Sequence, residues 1–240
     1  VTTSDRQVRV WLWFADDVAS DLESRFRPWF SDDEKARCER LKIDRVRLEY
    51  VMTRVLVRQT LSLVEPSVPP HAWTFERNEH GKPEVSGPTG AGTLRFNVSN
   101  TYGLVACAIT RHNDVGVDVE ARDRNSDGLA IADRYFSVQE VAALKALSSE
   151  QQAHRFFEYW TLKEAYIKAR GLGLAIPLGQ FSFLLDGRED IGIAFDPKLD
   201  DHVHHWSFAL RSPSSRHQLA VALKGSNHPI DLLVESFRCP

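Results

Sequence analysis

A chain of 240 residues with 42% apolar and 26% charged residues can bury a core of its own, which excludes disordered and fibrous classes. Its 30 basic and 33 acidic residues leave a net charge of −3, so no global positive field favours nucleic acid, although a local basic pocket for phosphate stays open. Cys38, Cys107 and Cys239 are odd in number and contain no C-x-x-C pair, which argues against a disulfide framework or zinc ribbon and fits a reducing compartment.

The opening VTTSDRQVRVWLWF lacks a basic stretch followed by a long apolar one, and no run of about 18 apolar residues follows. The expectation is a cytoplasmic chain without a membrane partner. Arg9–Phe14 (RVWLWF) predicts a buried strand. Ser31 followed by Glu34 is a capping-box signature, and the pattern stays helical to Leu63, with Leu48, Val51, Met52, Val55 and Leu56 at helical spacing. Residues 64–93 carry most of the Pro and Gly punctuation and predict loop around one strand at Trp73–Glu76. Their GPTGAG lacks the G-K-[ST] ending of a phosphate loop. Strands are predicted at Arg95–Val98, Leu104–Thr110 and Val115–Glu120, then a polar loop over residues 121–130. Helices follow at Ile131–Tyr135, Ser137–Leu147 and Gln151–Arg170, and strands at Phe181–Leu185, His205–Arg211 and Gln218–Lys224.

A faint internal repeat organises these elements. WFSDDEKARCERL (Trp29–Leu41) aligns with YFSVQEVAALKAL (Tyr135–Leu147), and RLEYVMTRVLVRQ (Arg47–Gln59) with FFEYWTLKEAYIK (Phe156–Lys168). RVWLWF falls opposite VGVDVE. The fold class expected is α+β, with two similar α/β halves, each a helix packed on a small antiparallel sheet. A pseudo-two-fold axis would relate residues 1–112 to 113–240, with any shared site at the interface.

The halves differ where chemistry is possible. Asp118 and Glu120 stand where the aligned first half has Leu12 and Phe14, and Glu164 stands where it has Val55. Two residues apart on a strand, Asp118 and Glu120 leave the same face. Two such carboxylates repel, more so if buried, unless a cation lies between them. Glu164 is followed one turn later by Lys168 on the same helix face, and Lys163 precedes it. Carboxylates with nearby lysines suit a divalent ion such as magnesium, with phosphate oxygens completing its shell. Taken singly these are ordinary surface features, an exposed Glu–Lys pair contributing about 0.3–0.5 kcal/mol. Their apolar flanks, GVDVE and YWTLKEAYIK, instead mark a partly buried site.

HGKP (His80–Pro83), FNVSNT (Phe96–Thr101), GVDVE (Gly116–Glu120) and YWTLKEAYIKARGLGLAIPL (Tyr159–Leu178) occur in this order. Together they resemble the surfactin-synthetase-activating (Sfp-type) 4′-phosphopantetheinyl transferases over nearly the whole chain. The resemblance implies two α/β halves with coenzyme A in the cleft between them, and transfer of its phosphopantetheine arm to a serine of an apo acyl or peptidyl carrier protein. It implies Asp118, Glu120 and Glu164 as ligands of magnesium, with manganese as a substitute, and Glu164 as the base. Lys168 corresponds to the lysine that helps the leaving group, and Lys163 is grouped with it. Coenzyme A contacts are implied for Arg45, Arg77, Lys82, Pro83, Ser99, Asn100, Asp118, Lys163 and Lys168. Asn100 departs from the family pattern, in which a histidine follows the serine. An amide can donate a hydrogen bond but cannot become cationic, so a weaker or rearranged phosphate contact is expected.

The remaining signals carry less. His202, His204 and His205 in DDHVHH lie in a polar connection and predict a solvated loop. Cys107, in an apolar strand, predicts packing. A monomer without a nucleic-acid partner is expected. The competing functions are a non-catalytic coenzyme A or carrier-protein binding module of the same fold, and a magnesium phosphotransferase acting on a nucleotide.

Overall fold

A computed structural model describes residues 5–90, 92–123, 127–173, 176–185, 191–225 and 228–239. The first half runs β1 (Gln7–Phe14), α1 (Leu22–Phe26), α2 (Asp32–Arg40), α3 (Asp44–Val64), β2 (Thr74–Arg77), β3 (Pro83–Gly87), β4 (Leu94–Thr101) and β5 (Leu104–Arg111). The second runs β6 (Val115–Ala121), α4 (Gly128–Tyr135), α5 (Val138–Lys145), α6 (Ser149–Arg170), β7 (Phe181–Leu184), β8 (Gly192–Phe195), β9 (Trp206–Ser214) and β10 (His217–Lys224). A last strand, β11 (Asp231–Ser236), follows.

The two halves share one plan. β1, β5 and β4 lie side by side, as do β6, β10 and β9, with antiparallel pairing in both sets. Each half adds a two-stranded ribbon, β2–β3 or β7–β8. Each also has a short helix opened by a capping box, Ser31–Glu34 or Ser137–Glu140. The fold class is therefore α+β in two similar halves. The division at residue 112 needs one correction: β11 returns to pair in parallel with β1, and the following Phe237 packs on Trp13 in the first half's core.

Three apolar clusters make four layers. Trp11, Trp13, Phe96 and Cys107 on one face of the first sheet pack with Val55 and Leu56 of α3. α6 supplies Leu162, Ala165 and Tyr166 to a second cluster with Phe181 and Ala220. Between the sheets, Val8, Val10 and Leu12 meet Val115, Val117 and Val119. Period-two alternation thus assigns every residue of β1 and β6 to a helix side or a sheet side. It also corrects the expected register of the repeat. On β1 the helix-facing residues are Trp11 and Trp13, not Leu12 and Phe14, because a one-residue slip exchanges the faces of a strand.

β6 is an edge strand, and its free edge lies against β4 of the other half. Buried N–H groups there need acceptors. β4 supplies them from alternate side chains: Val117 N donates to Asn97 Oδ1 at 2.9 Å, Val119 N to Ser99 Oγ at 3.3 Å, and Ala121 N to Thr101 Oγ1 at 3.1 Å. The polar alternation of FNVSNT is this ladder, and it fastens the two halves together.

Two departures from the predicted elements have physical causes. The helical stretch Ser31–Leu63 breaks around extended Leu41 and Ile43, which lets α2 fold back so that Glu34 meets Arg58 of α3 at 2.6 Å. β3 lies in the Pro- and Gly-rich stretch read as loop. Among the described residues it pairs with β2 alone, and a strand with one free edge accommodates proline.

Candidate active site

Sheet and helix of the second half come into close backbone contact at Gly116. A Cβ there would overlap the Ala165 carbonyl oxygen and the Ala169 nitrogen, so only glycine lets β6 lie against α6 backbone to backbone. Two and four residues later on the same face come Asp118 and Glu120, opposite Glu164 and Lys168. A cavity of about 320 Å³ is lined by Ser99, Asn100, Asp118, Glu120, Glu164 and Lys168, with Val98 and Trp160 completing its wall.

Its electrostatics are unbalanced. Asp118 is 4% exposed. Its Oδ1 accepts from Lys168 Nζ at 2.7 Å and from Ser99 Oγ at 2.9 Å, and Lys168 Nζ also donates to Ser99 Oγ at 2.8 Å. Asp118 Oδ2, equally buried, has no hydrogen-bond partner among the described residues. Thr101 Oγ1 donates to Glu120 Oε2 at 3.3 Å. Burial raises the pKa of Glu164 above the usual carboxylate range, and the charge of Asp118 raises it further; Lys168 opposes the shift and Glu120 adds to it. As these side chains stand, no three His, Cys, Asp or Glu among the described residues are drawn together around one point. The orphaned Asp118 oxygen and the disfavoured charge of Glu164 are nonetheless what a hard cation would relieve, so the donor set fits magnesium.

The 4′-phosphopantetheinyl transferase superfamily matches residues 114–223, which span β6 to β10. The 4′-phosphopantetheinyl transferase HetI of a Nostoc species is 30% identical over 225 residues, 94% of this chain and 91% of that protein. This chain belongs to the 4′-phosphopantetheinyl transferase family. The transferase Sfp of Bacillus subtilis is 31% identical over 180 residues, covering 72% of this chain and 75% of Sfp. A solved holo-(acyl-carrier-protein) synthase of Bacillus anthracis aligns with 47% of this transferase and 96% of its own chain, with 20% identity and a TM-score of 0.39.

Not every expected site residue of the transferase meets in the cavity. Ser99, Asn100, Asp118, Glu120, Glu164 and Lys168 do. Lys163 does not, and its grouping with the catalytic residues is corrected. It is fully buried, ion-paired with Glu140 at 2.7 Å, and donates to the Leu178 and Phe181 carbonyls, both at 2.8 Å. Consecutive helix residues point about 100° apart, so Lys163 turns to the core while Glu164 faces the cavity. Burial lowers its pKa to about 8 against the opposing pull of Glu140. Lys82 also lies elsewhere, its ammonium donating to the Ala169 carbonyl at 3.1 Å.

Arg77 and Pro83 line a second cavity of about 680 Å³ in the first half, walled by Trp29, Tyr50, Trp73 and Phe75. Arg37, Arg40, Arg54 and His71 open onto it as well. The spacing of Arg37 and Arg40 along α2 could have flagged this cluster, but Arg54 and His71 join it only through the fold. Arg45 lies at a third cavity of about 400 Å³, ion-paired with Glu49 at 3.2 Å and stacked over Tyr102. Asn100 connects the two regions, donating to Glu49 Oε2 at 3.2 Å. Glu49 carries no motif signal in the sequence. His202 and His205 meet edge to face in a short 3-10 turn region and form no metal cluster among the described residues.

Proposed function

We propose that the enzyme transfers the 4′-phosphopantetheine arm of coenzyme A to a serine hydroxyl of an apo acyl or peptidyl carrier protein, and that Asp118, Glu120 and Glu164 hold the magnesium this requires. The serine oxygen forms a bond to the β-phosphorus of coenzyme A, the bond from that phosphorus to the bridging oxygen breaks, and 3′,5′-ADP leaves with the electron pair. Glu164 accepts the serine proton, a role favoured by the burial and the Asp118 charge that raise its pKa. Lys168, one turn along α6, presents its ammonium to the leaving oxygen. Ser99 holds Lys168 and Asp118 in register. Magnesium, when bound, supplies charge neutralisation at the pyrophosphate. The cavity of Arg37, Arg40 and Arg54, with its aromatic walls, suits the phosphorylated nucleotide end of coenzyme A.

The observation that carries this reading is the buried, partnerless Asp118 oxygen facing the same cavity as Glu164 and Lys168. Incubation of an apo carrier protein with the enzyme, coenzyme A and magnesium should add one phosphopantetheine to the carrier's intact mass. A panel of apo carriers that stays unmodified, while coenzyme A still binds, would instead mark a binding module.

A further inference from the structure

Neither Asn78 nor Lys82, in the turn joining β2 to β3, lines any of the three cavities described above. The turn reaches across to the other half. Asn78 Oδ1 accepts from the backbone N–H of His80 at 3.0 Å and of Lys82 at 2.9 Å, which closes the turn. Its Nδ2 is thereby aimed outward and donates to the Gly171 carbonyl at 3.0 Å. Lys82 Nζ donates to the Ala169 carbonyl at 3.1 Å and reaches the Val115 carbonyl at 3.5 Å.

These acceptors are not arbitrary. Ala169 and Gly171 lie at the C-terminal end of α6, where the last carbonyls have no partner within the helix and the macrodipole is negative. Gly171 itself ends the helix in the left-handed region, at φ 66°. Val115 is the first residue of β6. One turn of the first half therefore touches both elements that carry the acidic cavity, at the end of α6 nearest Lys168. Burial lowers the pKa of Lys82, in keeping with an ammonium enclosed by protein.

We propose that Asn78 and Lys82 are positioning residues of the transfer reaction, capping the catalytic helix from the opposite half and holding its last turn against β6. Resting on the proposed role of Lys168, this assigns the lysine of HGKP to the helix end instead of to coenzyme A. Loss of the cap frays the last turn, which contains Lys168, before it disturbs Glu164 a turn further in. The leaving-group step should then suffer while substrate binding stays intact.

The test combines kinetics with hydrogen exchange on full-length Lys82→Met, Lys82→Arg and Asn78→Ala. For Lys82→Met we expect amide exchange in the last turn of α6 to quicken about tenfold. We expect kcat to fall about tenfold with the KM for coenzyme A within about twofold of the parent. Lys82→Arg, which keeps a cationic donor, should recover most of both. Asn78→Ala should show the same pattern in smaller measure, and it carries the test should Lys82→Met not fold. A KM for coenzyme A raised about tenfold or more, with kcat and exchange unchanged, would make Lys82 a direct contact and overturn the proposal. Quickened exchange with unaltered kcat would overturn it too, leaving a cap without a positioning role. If the parent protein showed no turnover, the transferase reading would fall separately, since exchange reports the cap by itself.

Discussion

The two halves solve the same packing problem with opposite chemistry on one face. In each, a helix lies on a three-stranded antiparallel set, and a capping-box glutamate reaches a basic residue on that helix. Glu34 meets Arg58 at 2.6 Å and Arg54 at 3.5 Å, and Glu140 meets Lys163 at 2.7 Å. Between helix and sheet the first half then places Trp11, Trp13 and Val55, all buried. The second places Asp118, Glu120 and Glu164 around a cavity. A duplicated scaffold can thus keep one copy as a packed support and turn the corresponding surface of the other into a site. The functional surface is less favourable to the fold, because its carboxylates disfavour one another's charge.

The largest expected effect sharpens what the halves have in common. Glu140→Gln leaves Lys163 buried and unpaired, which should cost about 3–5 kcal/mol in urea unfolding. Glu34→Gln should cost clearly less, because Glu34 is 13% exposed where Glu140 is fully enclosed. Equal losses would mean that the two pairs do not differ in burial as described.

Gly116→Ala tests the difference between the halves. The new methyl must displace α6, which should cost about 1–3 kcal/mol and remove most activity even in the folded fraction. A variant with unchanged activity and stability would contradict the backbone contact.

The motifs made much of this legible. Two-residue spacing placed Asp118 and Glu120 on one face, and helical spacing did the same for Glu164 and Lys168. Lys163 misled because adjacency in sequence is not adjacency on a helix. The register of β1 against β6 slipped by one residue because short apolar strands such as RVWLWF look alike on both faces when both are buried. The return of β11, and the meeting of Arg37 with Arg54 and His71 at one cavity, depend on contacts distant in sequence that no local pattern encodes.

The unfavourable charge of the site gives a smaller, pH-dependent effect. A carboxyl whose folded pKa is raised binds protons more readily when folded, so stability falls as pH climbs from the ordinary carboxylate range through the raised value. Glu164→Gln cannot ionise and escapes this loss. In chelator-treated protein its Tm should exceed the parent's at pH 7. The advantage should vanish toward pH 4. An advantage that grew with acidity would have the wrong sign. Smallest of all should be Asn100→His. Glu49 lies within hydrogen-bond reach of this position and would hold an imidazolium away from phosphate. We expect the KM for coenzyme A at pH 6 to change less than about threefold, and to fall further only when Glu49→Gln accompanies it. A rise in both variants would mean that Asn100 itself makes a contact histidine cannot replace.

The acidic face of the second half is tested most directly by the rate at which Glu164→Gln modifies an apo carrier, followed by intact mass at saturating coenzyme A and magnesium. Loss of both a metal ligand and the proton acceptor should lower turnover by about 10³-fold or more, in a protein that melts no lower than its parent. Turnover within about tenfold of the parent, with the same magnesium requirement, would place the chemistry elsewhere.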